Sequence, residues 1–96
     1  MNRPHWSVTE ALTVAVTSGQ KVVHVSSTKT GSTLHYEEAL EWLEYTTTEH
    51  RALPILRQIA VLNGGQVTFD TNKGPFKELA CILFYDTIHP EEVATT

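Results

Sequence analysis

A single cysteine, Cys81, among 96 residues excludes an internal disulfide. Nothing in the chain therefore calls for an oxidising compartment. Basic clusters are missing as well: Arg3, Lys21, Lys29, Arg51, Arg57, Lys73 and Lys77 are scattered. Nucleic-acid binding by phosphate neutralisation needs such residues gathered, so it is not expected. The longest uninterrupted apolar run, Leu79 to Tyr85, has seven residues and is far too short to span a bilayer. Met1 to Trp6 is not followed by the apolar stretch of a signal peptide. The expected setting is cytoplasmic, with no membrane partner. Five glycines are present, but not in the order of a phosphate loop, a dinucleotide fingerprint or a hydrolase elbow.

An ordinary core is affordable on composition, with 41% apolar residues and a net charge of −4 from seven basic and eleven acidic side chains. Length fits one domain over residues 1–96, with residues 1–5 and 88–96 expected to fray. So small a domain leaves much apolar surface near water, which makes pairing with another copy a real option.

Ser7-Val8-Thr9-Glu10 has the spacing of a capping box, and Val8, Leu12, Ala15 and Val16 recur at helical spacing up to Gly19. Alternation through Leu12–Thr17 competes as a strand, but the cap favours a helix. Lys21–Ser27 reads as a strand, the hydroxyl-rich Ser26–Thr33 as a turn, and Thr33–Tyr36 as its return. From Glu37 the period becomes helical, ending at the threonines 46–48, of which Thr48 is a cap for the next helix. That helix has Pro54 near its start, with Ala52, Ile55, Leu56, Ile59 and Leu62 along one side and Asn63-Gly64-Gly65 as the stop. Asn-Gly is also a hairpin signal, set aside here on periodicity. Gln66–Asp70 and Leu79–Asp86 complete the strands, the last apolar on both faces and hence central or at an interface. The expected fold is α+β in the order αββ–α–αββ: two β-hairpins in an antiparallel sheet packed with two to three helices. Weak similarity at an offset of 45 residues, as in Val22 and Val67, hints at duplication.

Catalytic signatures are absent. The histidines His5, His24, His35, His50 and His89 form no sequence-local metal pair with each other or with Cys81, so no metal or cofactor is expected. Cys81 lies in the most apolar segment and reads as core. Asp70 and Asp86 each close a strand, and polar strand ends explain them. Two patches remain. His24 and His35 would face each other across the first hairpin, and with Lys29 and Ser32 they form a weak candidate for a small polar or anionic ligand. In the acidic helix, Glu37, Glu38, Glu41, Glu44 and Glu49 are five acids within thirteen residues. Its stripe of Glu38, Trp42 and Tyr45, with Glu41 beside it, places aromatics among acids away from the expected core face. Protein-binding hot spots have that composition.

A binding protein is therefore favoured over an enzyme. The leading expectation is an inhibitor or adaptor acting by protein–protein contact, of the kind carried by phages and mobile elements. Two others stand behind it: a dimeric small-ligand or nucleotide binder, and a small enzyme whose site is completed across a dimer interface.

Overall fold

The first thirteen helical residues, Trp6–Ser18, form α1 in a computed structural model that describes residues 4–75 and 82–86. Its cap differs from the expected one. His5 sits outside the helix, and its Nδ1 accepts the Ser7 amide, so Ser7 belongs to the first turn and turns its hydroxyl into the core. Of the residues expected to fray, Pro4 is buried and His5 is partly buried and hydrogen-bonded, while 1–3 and 88–96 lie outside the described set. At the far end Gly19 adopts φ 68° and donates to the Ala15 carbonyl. A Cβ there would stand 2.8 Å from the Asn63 carbonyl oxygen, so both conformation and space ask for glycine.

β1 (Lys21–Ser26) follows as expected, but no hairpin does. Residues Lys29–Tyr45 make one continuous helix, α2. Thr28 caps it by accepting the Gly31 amide at 3.0 Å, while Ser32 and Thr33 donate their hydroxyls to the Lys29 carbonyl. The hydroxyls that resemble turn chemistry are thus consumed by the first turns of a helix. Thr46 to Thr48 end α2 as anticipated. Thr47 takes φ 53° and donates to Glu44, and Thr48 donates to Leu43, the pattern of a Schellman stop. Thr48 caps no following helix.

The proposed helix from Pro54 to Leu62 does not exist. The chain instead forms β2 (His50–Leu53), a single 3-10 turn at Pro54–Leu56, and β3 (Gln58–Val61). Pro54 suits the first position of that turn, and Arg57 ends it at φ 49°. Ile59 and Val61 are buried while Ala60 between them is only partly so, a period-two pattern that overrides the helical reading. The discarded hairpin signal is the correct one. Leu62–Gly65 turns β3 into β4 (Gln66–Thr71), and Asn63 Nδ2 donates to the Val16 carbonyl at 2.9 Å, pinning the turn to α1.

The sheet order is β2-β3-β4-β1-β5, with β5 at Ile82–Tyr85. β4 and β5 both run parallel to β1, and β3 is antiparallel to β2 and β4. Only β3 opposes the other four strands, so the antiparallel two-hairpin sheet is replaced by a mixed one. The described chain is a small α+β domain with two helices and five strands. β4 is the middle strand and β1 lies beside it, so the last strand is not central. Among the described residues β5 is the outermost strand on its side, with Leu83 and Tyr85 37% and 39% exposed. The offset of 45 is the register of β1 on β4, Val22 opposite Val67, but its halves differ because Ala15-Val16 is helical and Ala60-Val61 extended. Residues 79–81, and with them Cys81, lie outside the described residues.

Both helices cover one face of the sheet. Val8, Ala11, Leu12 and Ala15 of α1 meet Tyr36, Ala39 and Leu43 of α2 over Val22, Ile59, Val67 and Phe69. Each large apolar side chain so buried stabilises the fold by about 1.5–3 kcal/mol before entropy is counted. Because α1 and α2 each run against β1, both helices begin at the carboxyl ends of the parallel strands.

Candidate functional site

Alternation along β1 turns Val22, His24 and Ser26 toward the helices and Val23 and Val25 away. His24 is fully buried, beneath the starts of α1 and α2. Its Nε2 lies 2.6 Å from Ser7 Oγ, which is 2.7 Å from His5 Nδ1. Directions follow from the cap. His5 Nδ1 already accepts the Ser7 amide and carries no proton, so the Ser7 hydroxyl donates to it and accepts from His24 Nε2–H. His24 is therefore the Nε2–H tautomer.

His35, on the second turn of α2, completes the group. Its ring centre is 5.0 Å from that of His24 and 5.5 Å from that of His5. Carboxylates flank it on both sides, with Glu38 Oε1 3.4 Å from Nδ1 and Asp86 Oδ2 3.7 Å from Nε2. Glu38 also accepts the His5 amide at 3.1 Å, tying α2 to the start of α1. Burial, with His35 and then His5 adding like charge, pushes the His24 pKa down to about 3. His24 stays neutral near pH 7.

The weak ligand set is thus partly assembled. His24 and His35 do meet, but across a strand–helix junction in place of a hairpin. Ser32 is fully buried with its hydroxyl committed to Lys29, and Lys29 itself is exposed. Asp70 and Asp86 do not pair. Asp70 shares the far face with Val25 and stands 3.7 Å from Arg57, whereas Asp86 belongs with His35. Among the described residues no group of three or more His, Cys, Asp or Glu is arranged to hold a metal ion. No helix among them is long and apolar enough to cross a membrane.

The acidic–aromatic stripe lies on the flank of α2 that faces α1, and its members have separate fates. Glu38 turns inward to His5 and His35. Trp42 is half-buried, packs against the core and lines a groove of about 200 Å³ with Leu12, Val16 and Leu43. Tyr45 is 69% exposed and stacks on Trp42, with ring centres 5.7 Å apart and planes at 23°. Glu41 is exposed.

Two features escaped the sequence. Ser7 and His5 read as cap and tail, and only the tertiary fold brings them to His24. Ile55, assigned to a helix face, is instead 94% exposed between Pro54 and Leu56 at the tip of β2–β3. The hairpin signal at Asn63-Gly64, which joins β3 to β4, was the available clue that the preceding segment is extended. No protein-family model, curated protein or solved structure matches the chain.

Proposed function

We propose that this protein is a binding protein acting by protein–protein contact, as an inhibitor or adaptor, through the lower end of α2 and the groove beside it. One observation carries the reading: Tyr45 lies open to solvent, stacked on a Trp42 that walls a groove between the helices, lined by Leu12, Val16 and Leu43 together with threonines. Exposed aromatics are among the residues enriched in interface hot spots, which cluster around pockets that a partner can fill. Exposed Glu37, Glu41 and Glu44 rim α2 with negative charge, which suits a partner presenting an apolar side chain among lysines or arginines. A cytoplasmic setting and a homodimeric form belong to the same proposal.

The test is affinity capture from the native host with three baits: the wild type, Tyr45→Ala and Ile55→Ser. The proposal expects one stoichiometric partner lost with Tyr45→Ala and kept with Ile55→Ser. Retention by Tyr45→Ala would remove the site.

A second reading, binding of a small polar ligand at His24, Lys29, Ser32 and His35, is supported by the meeting of the two imidazoles. It is the weaker one, because His24 and Ser32 are sealed from solvent.

A further inference from the structure

We propose that β2 is the self-association edge of this protein, paired antiparallel with β2 of a second copy. A two-fold axis at His50 sets Glu49 of each chain opposite Arg51 of the other. The inference deepens the homodimeric part of the reading above and is independent of the Tyr45 surface.

Hydrogen-bond directions identify which backbone groups of β2 are open. The Val61 amide donates to Gly65, and the Arg57 carbonyl accepts from Phe69, so residues 57, 59 and 61 bond toward β4. Gln58 and Ala60 alternate with them and bond toward β2, where they stand opposite Leu53 and Arg51. His50 and Ala52 therefore aim their amides and carbonyls outward. Among the described residues β2 is the outermost strand on that side, so no strand of the sheet meets those groups.

Antiparallel registers about a two-fold axis differ sharply in what they bring together. An axis at Arg51 sets the two Arg51 side chains opposite each other, and an axis at Glu49 does the same to the two Glu49 carboxylates. These are non-hydrogen-bonded pairs, where side chains come closest and like charges cost most. An axis at Ala52 sets His50 opposite Pro54, which has no amide and has already entered the 3-10 turn. An axis at His50 lets the two His50 residues exchange both backbone bonds and sets Arg51 opposite Glu49.

Charge makes that last register self-complementary. Glu49 directly precedes β2, so alternation sets it on the face of Arg51. Both are exposed, and among the described residues neither meets an opposite charge in its own chain. The axis turns these lone charges into two symmetric ion pairs. The Thr48 carbonyl extends the ladder: it accepts from His50 Nδ1 at 2.7 Å and keeps a lone pair for the Ala52 amide of the other copy. A basic residue on an outer strand normally keeps other strands away. An acid two positions earlier reverses that effect toward a second copy of the same chain.

Sedimentation equilibrium at sub-millimolar concentration tests the edge by charge reversal. The wild type should reach twice the mass of one chain. Glu49→Arg alone and Arg51→Glu alone each place like charges opposite one another, and each should weaken self-association at least tenfold. Both reversals in one chain should restore it, and mixing the two single variants should give a heterodimer. A monomeric wild type would overturn this interface together with the homodimeric form. A wild-type dimer that either single reversal leaves intact would overturn the interface alone. Single variants that stay monomeric when mixed would do the same, as would a double reversal that fails to restore pairing.

Discussion

Burial keeps the His24 imidazole neutral far below the pH at which it charges in an unfolded chain. The unfolded state takes up this proton near pH 6.5 and the folded state near 3. Between those values the unfolded chain binds the extra proton, so stability is full above about pH 6.5 and falls as the pH falls. The slope for one group is about 1.4 kcal/mol per pH unit. Urea titrations should therefore show a loss of about 2–3 kcal/mol from pH 6.5 to 4.5. His24→Gln, which preserves an N–H donor for Ser7, should show a much shallower dependence. An unchanged dependence in that variant would assign the acid sensitivity to other groups. None of this was legible in the chain, where His24 is one polar residue in an alternating strand. Its burial depends on Ser7, seventeen positions earlier, offering a partner for a nitrogen that would otherwise be costly to desolvate.

Local signals resolved the elements unevenly. α1 was legible from its helical spacing and glycine stop, although its cap is His5 in place of Ser7 and alternation through Leu12–Thr17 competed. β1 and β4 were legible from their alternation. The region 28–36 was misread because serine and threonine serve turns and helix starts with the same hydrogen bonds. What decides is β1's position: flanked by β4 and β5, it has no free edge for a return strand. Thr28→Ala discriminates the two architectures. As the cap of α2, its loss should lower stability by about 1 kcal/mol. Thr33→Ala, on an exposed position of the helix, should cost much less. Equal, small effects in thermal or urea melts would contradict the single helix. The region 50–62 was misread for another reason. Ile55, Ile59 and Leu62 fall at helical spacing by coincidence, whereas burial selects Ile59 and Val61 and leaves Ile55 outside. The aromatic stripe was legible as a helix face, but its orientation was not, since only the placement of α1 turns Glu38 and Trp42 inward.

At the scale of the domain, the described residues form one layer of helices on a mixed sheet, with β2 and β5 outermost and an apolar tip at Pro54–Leu56. Ile55 makes almost no intramolecular contact to lose, so Ile55→Ser should leave the melting temperature within about 2 °C, as surface substitutions generally do. It should also raise salting-out solubility, because an exposed apolar tip favours association. A large drop in melting temperature would mean that the tip is packed in solution. The functional surface sits elsewhere, at the lower end of α2, and there the two aromatics separate stability from binding. Trp42→Ala should lower the melting temperature, since Trp42 packs against the core, whereas Tyr45→Ala should not. The most direct measurement is the affinity of the captured partner for Tyr45→Ala against the wild type, alongside the melting temperatures of both. An anchor contributing about 2 kcal/mol predicts binding weaker by about 30-fold with the melt unchanged. Equal affinity in a folded Tyr45→Ala protein would contradict the account.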